Sequence, residues 1–209
     1  MVFIWFLLIV SLLVPGAGWA QASVPGYVDE FRQLAVQQGG RIKPFDTLAR
    51  ESVRYVTGKA EFEKRDPVET LLSWWALGGQ GVHSLKVIEF RNKDWKKKLG
   101  LELERRHFSL DELEGLAPLQ EVREKLHRMK PEDKVPDDLV PAQELLAKMR
   151  FLEMLAEGAV WNMVPPPGDL QDTWASLQAL EKAQTEDPAI GRLQQATLGL
   201  RQALASAQG

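Results

Sequence analysis

The chain has 209 residues, 44% of them hydrophobic, a formal charge of −3 and no cysteine. That is enough apolar material for one domain with a real core, and so mild a charge balance excludes nucleic acid as the main partner. Without cysteine there is neither a disulfide framework nor a thiolate metal box, so stability must come from packing.

Val2 to Val14 is apolar apart from Ser11, and is followed by Pro15-Gly16 and then Ala20-Gln21-Ala22. An apolar run, a helix breaker and a small-x-small site together predict a signal peptide over residues 1–22, cut after Ala22. A retained N-terminal anchor is the alternative, although the run is shorter than the roughly 20 apolar residues of a membrane span. No later stretch approaches a span. The remainder is therefore expected to be periplasmic, at the outer face of the cytoplasmic membrane.

Past a short linker, Val28 to Val36 has the amphipathic spacing of a short helix. Leu34-Ala35-Val36 and Arg41-Ile42 flank Gln38-Gly39-Gly40, which predicts a small hairpin or tight turn. Lys43 precedes Pro44 and so is extended, while Pro44 suits a helix start. Phe45, Leu48, Ala49, Ser52, Val53 and Val56 then recur at helical spacing, and Gly58 closes that element. Asp66-Pro67-Val68-Glu69 predicts the next helix start, with Asp66 as cap, Pro67 at the first position and Glu69 completing a capping box. Val68, Leu71, Leu72 and Trp75 form its apolar stripe, and Gly78-Gly79 ends it.

Leu85 to Phe90 alternates enough to predict a strand, with the segments around Val36 or Ile42 as candidate partners. Ser109-Leu110-Asp111-Glu112 is a further capping box opening a short helix to Leu116, and Leu119 to Met129 is amphipathic. Pro131 to Pro141 is charged and proline-punctuated, as a loop would be. Pro141 to Met163 carries a long apolar face (Leu145, Leu146, Met149, Leu152, Leu155, Ala159, Met163) and predicts a long helix stopped by Pro165-Pro166-Pro167-Gly168. Asp169 is then expected to cap a helix with Leu170, Trp174, Leu177 and Leu180 inward. After Asp187-Pro188, Ile190, Leu193, Thr197, Leu200 and Leu204 continue at three-four spacing, and the two helices predict an antiparallel hairpin.

The expected fold is mainly α, with small β elements near residues 34–43 and 85–90 and a C-terminal helical hairpin. The expected organisation is a signal segment 1–22, an extracytoplasmic domain 23–168 and the helical hairpin 169–209.

Candidate chemistry is sparse. His83, His107 and His127 show no metal-site spacing. His83, in a Gly-rich turn, and His107 are weak candidates for haem axial ligands, set against structural histidines. Trp74 and Trp75 point about 100° apart on a helix, so one is expected in the core and the other, Trp74, at a partner or membrane boundary. Arg91 to His107 holds seven Arg or Lys against three acids. Its Lys96-Lys97-Lys98 run is either a solvated face or a contact for an anionic membrane surface or haem propionates. Asp46, Glu51, Asp66 and Glu69 all have capping explanations, and Ser109 and Thr47 read as caps, so the sequence carries no enzyme constellation. Gly40, Arg41, Lys43, Pro44 and Asp46 remain. Turn and cap chemistry accounts for Gly40, Pro44 and Asp46. Arg41 either locks the turn by pairing with an acid such as Asp46 or contacts a partner.

Val36-Gln37-x-x-Gly40-Arg41-Ile42-Lys43-Pro44-Phe45-Asp46-Thr47-x-Ala49-Arg50 resembles the exported region of cytochrome c biogenesis proteins of the system II type. Asp66-Pro67-Val68-Glu69 with Leu72-Ser73-Trp74, Leu99-Gly100-Leu101 running to His107-Phe108-Ser109-Leu110-Asp111-Glu112-Leu113, and Met163-Val164-Pro165-Pro166-Pro167 are similar too, in the same order. The likeness spans residues 36–168. It implies work beside a multi-span membrane haem-handling protein related to the plastid cytochrome c synthesis protein, which attaches haem to exported apocytochrome c at Cys-x-x-Cys-His. The chain lacks the tryptophan-rich haem motif and the membrane helices of that module, so no haem ligand or catalytic residue carries over. The resemblance implies a non-catalytic accessory or docking domain, with a periplasmic haem-binding chaperone or a generic exported interaction domain as alternatives.

Overall fold

The computed structural model describes residues 27–166, 172–184 and 188–206. The expected signal segment and the Asp169 cap lie outside these. The fold is mainly helical, with small antiparallel strand pairs and a C-terminal helix. Helix α1 (Tyr27–Gln33) leads into β1 (Ala35–Gln38) and β2 (Arg41–Pro44), an antiparallel hairpin in which Gln38 faces Arg41 and Ala35 faces Pro44. Gly39 and Gly40 both have positive φ, 58° and 74°, as a two-residue type I′ turn requires.

Helix α2 (Phe45–Thr57) buries the predicted face, Phe45, Leu48, Ala49, Ser52, Val53 and Val56, and stops at Gly58 in the left-handed region. Helix α3 (Pro67–Gly81) is capped by Asp66, whose Oδ1 accepts from the amides of Val68 and Glu69. Its regular part ends at Gly78 (φ 71°, ψ 177°), where the helical path breaks. Because α1, α2, α7 (Val140–Ala156) and α9 (Pro188–Ser206) all pack on α3, it is buried nearly all round. Trp74 is 3% exposed and Trp75 fully buried, so the expectation that Trp74 lies at a partner or membrane boundary is overturned.

The strand expected over 85–90 is only Ile88–Glu89, β3, and it pairs with β4 (His107–Phe108), not with the hairpin. Val87, Ile88, Glu89 and Phe90 are all buried. A run covered on both faces owes its composition to burial, and its alternation does not identify a partner. Between these strands lies α4 (Lys93–Leu99), and after them α5 (Leu110–Glu114), opened by the complete Ser109–Glu112 capping box. Helix α6 (Ala117–Arg128) follows, and the proline-punctuated loop then separates it from α7.

Helix α7 is shorter than expected. It ends at Ala156, and Met163 belongs instead to β5 (Asn162–Val164). Gly158 (φ 72°) takes the left-handed position. Its amide donates to the Leu155 carbonyl and that of Ala159 to Met154, which is a Schellman close. β5 pairs with β6 (Ala175–Ser176), so Trp174 precedes a strand and is not helical. Ser176 caps the short α8 (Leu177–Lys182). On α9, Leu204 is buried while Ile190 and Leu193 are 37% and 45% exposed, so only part of the expected stripe faces inward.

The centre of the core is aromatic. Trp161, fully buried, meets Phe45 at 4.9 Å and Trp75 at 5.4 Å between ring centroids, and Phe31 meets Phe45 at 5.6 Å. Such pairs contribute about 0.5–1.5 kcal/mol each beyond area burial. The hairpin is thus joined directly to a helix whose first residue is anchored at the middle of the molecule.

Candidate functional site

Everything behind the hairpin is fastened. Arg32, at the end of α1, donates from Nη1 to Asp46 Oδ1 and from Nη2 to Asp66 Oδ2, both at 2.6 Å, and from Nε to Asp29 at 3.3 Å. One guanidinium therefore ties the starts of α2 and α3 to α1. Asp46 also accepts from Arg50 Nε at 2.7 Å. The Arg50 and Arg32 guanidiniums hold the Asp46 carboxyl below its ordinary value against a desolvation cost. Lys43 pairs with Glu51, and Pro44 (φ −62°, ψ 146°) stands extended before the helix. Gln37, buried, donates to the Asp172 carbonyl at 2.8 Å and accepts from the Trp174 amide at 2.9 Å. Its amide group holds the later segment as a strand backbone would.

Arg41 is the exception. Asp46 is taken by Arg32 and Arg50, so the turn is not locked through Arg41. Its side chain is exposed and makes no hydrogen bond or ion pair among the described residues. The neighbouring Ile42 is 46% exposed. Below the hairpin, α2 and α7 border a groove of about 510 Å³ lined by Gln38, Glu51, Ser52, Tyr55, Phe151 and Met154 among others. Tyr55 and Phe151 meet edge to face at 5.3 Å. Ser52 Oγ is buried there without a hydrogen-bond partner, so neither imidazole nor carboxylate activates it. A free cation, an exposed isoleucine and an aromatic-walled groove supply recognition chemistry, with no nucleophile-and-base pair.

The remaining sequence-derived candidates fall elsewhere. His107 Nε2 is 2.9 Å from the Thr57 carbonyl, and its ring meets Phe62 edge to face at 5.2 Å. A carbonyl only accepts, so Nε2 carries the proton and Nδ1 alone is left for a ligand. His83 Nδ1 is 3.7 Å from both Asp111 Oδ1 and Glu114 Oε2. The two histidines sit against different neighbours. Lys96 is 2% exposed and donates to the carbonyls of Leu103, at 2.8 Å, and Arg105. Burial lowers its pKa. It is a loop tether and is withdrawn from any basic surface, which leaves Lys97 and Lys98 exposed, the latter 4.6 Å over the Trp95 ring.

Sequence reasoning missed Arg32, Gln37 and Trp161. An arginine among distant aspartates and a lone tryptophan before a strand have no local signature. No family model matches the chain, and no curated protein matches it. Among the described residues, no helix is long and apolar enough to cross a membrane.

Proposed function

We propose that this chain is a non-catalytic extracytoplasmic docking domain in cytochrome c maturation, working beside a membrane-embedded haem-handling protein. The resemblance of residues 36–50 to the exported region of system II biogenesis proteins supplies the setting. The observation that carries the reading is Arg41, without a side-chain partner among the described residues, at the tip of a hairpin whose one other charged residue, Lys43, is paired with Glu51. A cation held out on a rigid two-residue turn costs little to order on binding and favours an acidic segment of a partner. The groove between α2 and α7 would take that segment's apolar side chains.

The test is Arg41→Ala in the natural host. Haem staining of membrane and periplasmic c-type cytochromes should fall several-fold, while the purified variant keeps its thermal midpoint. Normal cytochrome levels, or normal levels in a deletion strain, would remove the proposal, and a lowered midpoint would return Arg41 to the scaffold. A Soret shift on haem titration that His83→Ala abolishes would favour the chaperone reading instead.

A further inference from the structure

Away from the hairpin, three side chains of metal-ligand chemistry converge from three elements. His83 lies in the turn after α3, Glu114 is the last residue of α5, and Glu153 is on α7. Each offers one ligand atom, and these atoms lie within 4.8 Å of one another, all at half-buried positions. Their placement is set by the scaffold. The His83 amide donates to the Gln80 carbonyl at 3.3 Å, and the His83 carbonyl accepts from the Asp111 amide at 3.1 Å, which pins the turn to the first residues of α5. Glu114 is carried by a helix opened by a complete capping box, and Glu153 follows the fully buried Leu152.

The imidazole faces carboxylates without bonding to them. Its Nδ1 stands 3.7 Å from Glu114 Oε2 and 3.7 Å from Asp111 Oδ1, too far for a hydrogen bond. Glu112, also on α5, is committed, accepting from Arg105 and from the Ser109 amide. Arg150, 68% exposed on its side chain, stands 3.6 Å from Glu153, and Arg123 lines the same groove as Glu114 and Glu153. Three carboxylates, those of Asp111, Glu114 and Glu153, thus stand around one imidazole, an arrangement of like charges that a divalent cation would relieve.

We propose that His83, Glu114 and Glu153 form a binding site for a divalent transition-metal ion, with zinc the best match. Imidazole nitrogen with carboxylate oxygen is a zinc donor set, at ligand distances of about 2.0–2.2 Å. Tetrahedral donors at that distance stand about 3.4 Å apart, a closure within reach of rotation in two glutamate side chains. Asp111 or a water completes the shell. Glu114 and Glu153 also line an open groove, which gives the ion a path from solution. Bound there, it would clamp the turn after α3 to α5 and α7. The proposal stands apart from the docking reading.

The test is isothermal titration of the full-length chain with zinc chloride. One ion per chain is expected, with a rise in thermal midpoint on saturation. His83→Ala and Glu153→Gln should each weaken binding on the order of 100-fold or more, at or above the loss that outer-shell partners alone reach. His127→Ala should leave it unchanged. No binding to the wild-type chain at millimolar zinc, or affinity unchanged in both variants, overturns the proposal. Should His83→Ala fail to fold, Glu153→Gln, which preserves volume and shape, decides by itself.

Discussion

Arg32 concentrates three carboxylates on one guanidinium, and that fixes the character of Asp46. Its carboxyl is held low first by the bond from Arg50 and then by that from Arg32, with desolvation opposing. A carboxyl whose folded pKa is depressed stabilises the fold above its unfolded value, here 3.8. That stability is lost as pH falls through the folded value. Urea midpoints measured from pH 6 to pH 2 should therefore decline below about pH 4, and Asp46→Asn should flatten the decline while lowering the midpoint at pH 6. A variant with an unchanged acid slope would mean that Asp46 is not the group at work. Arg41 differs in that its exposed side chain meets no hydrogen-bond or ion-pair partner among the described residues. Two charged residues of one motif thus separate, Asp46 into the scaffold and Arg41 onto the open surface. The sequence places both in one packet, because spacing does not reveal that Arg32 and Arg50 reach Asp46 first.

At the scale of elements, the legible features are those written in consecutive residues. Gly39-Gly40 announces its turn, Asp66 and Ser109 announce their helices, and Gly58 ends α2 where its left-handed φ is needed. The features that were not legible depend on distant partners. The β3 strand is paired through His107–Phe108, and α7 ends at Ala156, closed by Gly158, although apolar residues continue at helical spacing beyond it. The apolar pattern persists there because Val160, Met163 and Val164 still pack against the core, so burial continues after the helix has ended. Gly158 and Gly40 make a paired prediction. A Cβ at Gly40 meets nothing within 4 Å, so Gly40→Ala costs only its left-handed φ, about 1–2 kcal/mol. A Cβ at Gly158 would stand 3.3 Å from both Leu177 Cβ and Trp75 Nε1. Gly158→Ala should therefore cost more, about 2–4 kcal/mol with the strain included. Chemical denaturation of both variants checks the order, and equal losses would mean that the close packing behind Gly158 yields freely.

For the whole molecule, the decisive join is between the last helix and the centre. Leu177, Leu180 and Leu204 belong to the same apolar core as Trp75 and Trp161, and Arg201 fastens that union. Its Nε donates to the Trp75 carbonyl at 3.1 Å, Nη2 to the Ala156 carbonyl at 3.2 Å and Nη1 to Glu181 Oε2 at 3.2 Å, with the guanidinium 5.5 Å over the Trp75 ring. The break at Gly78 and the close of α7 at Ala156 leave terminal carbonyls without helical donors. One cation from α9 satisfies a carbonyl at each end and meets the negative ends of both helix dipoles. Arg201→Met keeps the apolar stem but orphans two carbonyls and the Glu181 carboxylate, and should cost about 3 kcal/mol. Burial already raises the Glu181 pKa, so Glu181→Gln alone should cost about 1 kcal/mol. The double variant should be less destabilised than Arg201→Met, because it also removes the carboxylate that the arginine substitution orphans. If Arg201→Met unfolds at the wild-type midpoint, α9 is held by its apolar contacts and the Gln194 bonds to α8, and Arg201 is no clasp. If it melts in two steps with the C-terminal helix leaving first, Arg201 is the clasp that makes the molecule unfold as one body.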